Sequence, residues 1–180
     1  MFVSQNTIDN INELIKRFFQ HNRTWDNFLG FANVEWALSN FNEVFHHGLA
    51  HLYPLLADVC SDMLLDFNIV PQYGTTEADF RTYENIDDFF LANIEEHKAT
   101  YDLICKASKE ATENGDLNIA KEIDSLLRMF NKFIAQALLL KDKAEAYGDN
   151  LWAFDAYAQQ FYILEDIKEE LSKWLVMQKK

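Results

Sequence analysis

The sequence predicts an all-α protein, a bundle of four long helices with a fifth behind it, and three observations carry that expectation. Apolar residues make up 49% of 180 residues, enough for one buried core in a single domain. Five glycines and two prolines are too few for the turns of a sandwich or barrel. Apolar side chains also recur at three- and four-residue steps along most of the chain, the period of a helix with one buried face.

The first helix is expected over about residues 7–38, with Ile8, Ile11, Leu14, Phe18, Phe28, Phe31 and Val34 on one side. Residues 22–24 are expected to loosen its middle. The second covers about 42–67 and buries Leu49, Leu52, Leu56, Val59 and Met63. Pro54 must kink it or restart it, because the proline ring clashes with the carbonyl of Ala50. A loop rich in helix breakers follows over 68–76, with a short helical turn expected before Tyr83. The third helix, about 84–112, carries Ile86, Phe90, His97, Tyr101 and Ile104 and stops at Asn114-Gly115. His97 falls on the apolar step, so it is expected as a hydrogen-bonded core residue. The fourth helix spans about 117–147 and the fifth about 151–177, the latter with Trp152, Phe154, Ala158, Phe161, Leu164, Leu171 and Trp174 on its apolar side. One long and two short links between four matched helices give a bundle over about 7–147.

Charge narrows the function. The formal net charge is −13, which opposes phosphate and anionic lipid. No Lys or Arg occurs between Arg23 and Arg81, a stretch that holds Asp26, Glu35, Glu43, Asp58, Asp62, Asp66, Glu77, Asp79 and three of the five histidines. Such a surface attracts cations, although an ordinary solvated acidic face has the same composition. No basic start followed by an apolar stretch opens the chain, and no apolar run approaches ~20 residues. A cytoplasmic protein without membrane contact is therefore expected. Cys60 and Cys105 lack CxxC spacing and are expected as buried, reduced thiols.

At about 100° per residue, His47, His51, Asp58, Asp62 and Asp66 fall on one stripe of the second helix. Imidazole with carboxylates is the ligand set of iron, manganese or zinc. Around the stripe, Glu35-Trp36 lies ten residues before His46-His47, and fourteen residues separate His47 from Asp62. Asp66 and the loop Val70-Pro-Gln-Tyr-Gly-Thr-Thr76 follow. These motifs resemble those of the DNA-binding proteins from starved cells, the Dps mini-ferritins, over about residues 7–147. In that family a His-Trp ends the first helix, a His stands in the second, and Asp-xxx-Glu precedes a Gly-Thr loop. Glu35 here replaces the His, and Asp66 replaces the Glu.

The resemblance implies a ferritin-like fold and a hollow homo-dodecamer. It implies ferroxidase sites at the two-fold interface, with Glu35 and His47 from one subunit and Asp62 and Asp66 from its partner. Trp36 would pack beside the metal, with His51 a supplementary ligand. Fe2+ would be oxidised by peroxide or dioxygen and Fe3+ mineralised inside, with Zn or Mn as other cations the donors accept. A non-catalytic, metal-sequestering shell with a degenerate site is the alternative. Direct DNA binding is not expected, since residues 1–6 carry no basic side chain and the other end offers only Lys179-Lys180. The residues 151–180 have no counterpart in the family pattern.

Overall fold

The computed structural model describes residues 2–177, with side chains through Lys173. Lys179-Lys180 and the side chain of Trp174 lie outside the described residues. All regular structure among the described residues is helical. None of these helices is long and apolar enough to cross a membrane.

Helix α1 spans Gln5–Glu35 without a break, so residues 22–24 do not loosen it. Ser4 caps its start and donates its hydroxyl to Asp116 at 2.7 Å, which ties this end to the fourth long helix. It ends three residues before the expected boundary, because Ala37 adopts φ 56° and turns the chain. Val34, on the last turn, faces solvent instead of the core.

The second long rod is three pieces: α2 (Ser39–Phe45), a π turn (His46–Ala50) and α3 (Leu52–Leu65). Proline explains the break. Pro54 sits in the first turn of α3, where a missing N–H is harmless. The Ala50 carbonyl, left without its helical donor, accepts from the Asn22 side chain at 3.0 Å. The interruption thus lies upstream of the proline ring, in the turn that precedes it.

The crossover that follows holds no helical turn before Tyr83; residues 69–83 are irregular. It runs along α1 in the same direction, with Gln72 N–H donating to Asn12, Glu77 N–H to Gln20, and Asn27 to the Arg81 carbonyl. Arg81 clamps the far end by binding Asp79 and Glu96. The crossover delivers α4 (Ile86–Glu113) beside the C-terminal end of α1, and α4 runs back until Glu110 meets Asn6 and Asn10. Helix α5 (Leu117–Tyr147) returns antiparallel to α4. The order of directions is up, down, down, up, with α1 on α3 and α4, and α5 on α4 and α3.

The expected single fifth helix is instead α6 (Leu151–Ala156), a 3-10 turn (Ala158–Phe161) and α7 (Glu165–Met177). Two inward polar groups account for the interruption. The Asp155 carboxylate accepts from the N–H of Phe41 at 2.8 Å and of Asn40 at 3.3 Å, capping α2, which has no cap of its own. Buried Gln136 donates to the Phe161 carbonyl and accepts from Ile163 N–H, so these backbone groups are satisfied outside a helix. Trp152 and Tyr101, expected on apolar faces, are exposed. Cys60 is buried and Cys105 half-buried, and both are free thiols.

The bundle centre is aromatic and carries a polar seam. His97 donates through Nδ1 to the Asn93 carbonyl and accepts at Nε2 from the Tyr53 hydroxyl, both at 2.7 Å. The Thr100 hydroxyl is committed to the Glu96 carbonyl, so His21 Nε2–H donates to Thr100 at 2.8 Å. His97 is therefore the hydrogen-bonded core histidine its position suggests.

Burial holds His97 down to about 4, the Asn93 hydrogen bond opposing only in part. Burial, then His97 and Arg17, also hold His21 well below the ordinary imidazole value. The unfolded chain binds these protons near pH ~6.5, so it holds more protons than the folded protein below that pH. Stability contributed by neutral His97 is complete above pH ~6.5 and is lost as pH falls toward 4, on the order of 3 kcal/mol. Urea unfolding from pH 7 to pH 4.5 should show this decline, and His97→Phe should flatten it. An unchanged pH slope in that variant would refute the assignment.

Candidate metal centre

Regular α-helical geometry separates His46 from His51 by about 140° around the axis. The π turn cancels that separation. His51 N–H bonds the His46 carbonyl at 3.2 Å, a five-residue step that sets both side chains on one side of the rod. Ring centroids are 4.4 Å apart for His46–His51, 4.7 Å for His46–His47 and 5.1 Å for His47–His51. One ring nitrogen from each imidazole lies within 4.8 Å of the others. His47 Nδ1 and His51 Nδ1 approach to 3.4 Å.

Asp26 faces this cluster from α1, its Oδ1 lying 3.4 Å from His46 Nε2. That oxygen is buried and has no hydrogen-bond partner, whereas Oδ2 accepts from Asn22 at 3.1 Å. His51 is held below its ordinary value by partial burial and by His46 and His47, with Asp26 acting against them.

The turn is braced from the C-terminal segment. The Tyr162 hydroxyl donates to the Gly48 carbonyl at 2.8 Å, and its ring packs edge-on against Phe45. A Cβ at position 48 would stand 2.8 Å from that ring. Glycine is required here by close approach.

The other predicted residues are dispersed. Asp62 and Asp66 open into a cleft of about 270 Å³ with Glu122, Glu170, Val59 and Leu171. Burial, then Asp58 and Asp66, raise the Asp62 carboxyl, and burial followed by Asp66 raises Glu122. Glu35 is exposed as the last residue of α1. Trp36 packs edge-on against Phe31 and Phe28. Among the described residues, only His46, His47 and His51 form a group of three or more potential ligands close enough for one ion. His47 and His51 are thus brought together, whereas Glu35, Asp62 and Asp66 do not join them within one chain.

His46 and Asp26 are absent from the sequence-predicted set. A signal for His46 exists in the i, i+3 pair Glu43-Val-Phe-His46. In a di-metal bundle such a pair projects inward. Here Phe41 and Phe45 take the inner face, Glu43 is exposed and His46 is half-buried. Among the described residues, the carboxylates of Asp155 and Asp79 are buried and both are occupied, Asp155 in capping α2 and Asp79 in pairing with Arg81.

No protein-family model matches the chain, and no curated protein matches its sequence.

Gly48→Ala should destabilise the protein by about 1–3 kcal/mol, the range for overpacking. Tyr162→Ala should lose stability of its own, and adding Gly48→Ala to it should cost little more. A thermal melt of Gly48→Ala matching wild type would contradict the close packing of the π turn.

Proposed function

We propose that the protein is a ferritin-like iron protein of the Dps type, which oxidises Fe2+ with peroxide or dioxygen at sites shared between two-fold-related subunits. Glu35 and His47 of one subunit and Asp62 and Asp66 of its partner would hold the iron, with Trp36 alongside and Fe3+ stored in the shell. The observation that carries this reading is the placement of donors on the second rod. His47 is exposed near one end, and Asp62 and Asp66 open to solvent toward the other. Fifteen residues at 1.5 Å each put them roughly 22 Å apart, far beyond a shared bond of ~2 Å. A single ion reaches both only if a second copy of the rod lies antiparallel beside the first. The interior supports the same reading, because the polar groups around His97 are His21, Tyr53 and Thr100, with no carboxylate bonded to them. The up-down-down-up order with one long crossover is also that of ferritin-like bundles.

The chemistry asks little of the protein. Each Fe2+ gives up one electron, so peroxide or dioxygen must collect electrons from more than one iron. Carboxylates favour the harder Fe3+ product, and imidazole retains Fe2+ beforehand. The net charge of −13 draws in the cation substrate.

One observation favours the second reading, a non-catalytic metal-sequestering protein. The C-terminal segment packs along the same rod, with Glu170 and Leu171 beside Asp62 and Asp66, and Gln159 and Tyr162 beside His47. A partner must fit around that segment to complete a shared site.

Two measurements separate the readings. Light scattering should give a large closed oligomer at micromolar concentration, and a stable monomer would eliminate the shared site. His47→Ala and Asp62→Ala should each oxidise Fe2+ at least ~10-fold more slowly than wild type. Co-refolding the two variants should restore part of the rate, because one site per mixed dimer regains both groups. No restoration in mixed oligomers of verified composition argues for the sequestering protein.

A further inference from the structure

We propose that His46, His47 and His51 form a cation site complete within one chain, which takes a borderline first-row divalent ion such as Zn2+ or Co2+. Its ligand set differs from that of the shared iron site proposed above, although His47 belongs to both and His51 is expected there as a supplementary ligand.

The geometry is already close to that of a bound ion. Two nitrogens on a tetrahedral ion with bonds of ~2.0–2.1 Å stand about 3.3–3.4 Å apart. His47 Nδ1 and His51 Nδ1 are 3.4 Å apart. One ring nitrogen of each of the three imidazoles lies within 4.8 Å of the other two, so side-chain rotation closes the set. Without an ion, one of the two facing nitrogens must donate to the other or both lone pairs repel. A cation replaces that contact with two favourable ones.

Asp26 is the positioning residue. Its buried, unpartnered Oδ1 lies 3.4 Å from His46 Nε2 and favours the tautomer with the proton on Nε2. That leaves the His46 lone pair on Nδ1, and a ligating histidine commonly donates its other N–H to a carboxylate in this way. The carboxylate also offsets one of the two positive charges of the ion.

The donor set selects the ion. Three neutral imidazoles suit Zn2+, Co2+ and Ni2+, whereas Mg2+ and Ca2+ prefer oxygen ligands. The cleft at Asp62 and Asp66 offers mainly carboxylate oxygens and no imidazole, so the two ends of the rod present different chemistry.

The test is titration of the untagged, metal-free protein with Co2+, followed by visible absorption and calorimetry. One Co2+ per chain is expected, with the intense absorption of four-coordinate cobalt and competition by Zn2+. His46→Gln and His51→Gln should each weaken binding at least ~10-fold, and Asp26→Asn by about tenfold or more, with circular dichroism unchanged. Undiminished Co2+ affinity in both histidine variants would overturn the site. Fe2+ oxidation by His46→Gln separates this proposal from the iron reading, because His46 lies outside that ligand set. Retained oxidation with lost Co2+ binding supports two sites. Parallel loss of both would overturn their separateness and place iron chemistry at the triad. A wild type that binds Co2+ yet oxidises no Fe2+ refutes only the iron reading.

Discussion

Pro54 has no N–H to offer, and the Ala50 carbonyl must find a donor elsewhere. This constraint shapes the second rod. Asn22, on the facing helix, supplies the donor, and the chain upstream relaxes into a five-residue turn closed by the His51 N–H. The same asparagine also donates to Asp26, so the side chain that repairs the proline defect orients the carboxylate beside the histidines. A regular helix through this region would leave His46 and His51 on different faces. The histidine cluster is therefore a consequence of a helix that cannot continue, which agrees with the frequent use of π turns at functional sites.

The C-terminal segment works in the same economy of backbone groups. Helix α2 starts without a cap, and Asp155 provides one from more than a hundred residues away. Gln136 satisfies the strap between the 3-10 turn and α7, and Tyr162 closes on Gly48. Each contact fills a backbone group that local structure leaves open, and together they brace the π turn. This explains why a segment with a helical apolar pattern is not one helix: its polar side chains and carbonyls bind the bundle more favourably than a continuous ladder would allow.

The interior decides where metal chemistry can occur. The polar groups at the bundle centre include two imidazoles, a phenol and a hydroxyl in the pairs His97–Tyr53 and His21–Thr100, with burial holding the histidines neutral. A di-metal centre needs several carboxylates there to balance its charge. Asp26, Asp58, Asp62, Asp66 and Glu122 instead lie on the outer parts of the rods, half-buried or exposed. The donors that could share one ion, His46, His47 and His51, likewise lie on the outside of a rod and not at the bundle centre.

Local patterning along the chain accounts for the all-α class, the four long segments, the crossover and the core role of His97. These follow from apolar period and from scarce glycine and proline, which act within a few residues of chain. The absence of Lys and Arg between Arg23 and Arg81 is legible in the same way, since charge is additive along the chain. Which donors meet depends on packing across the bundle. His46 falls off the donor stripe in a helical projection because that projection assumes a regular ladder, and Pro54 signals a break without saying which upstream turn absorbs it. That choice rests on Asn22, 28 residues distant along the chain. Asp26 and Tyr162 joined the site for the same reason: contacts across a bundle depend on how rods pack, and no local spacing encodes them.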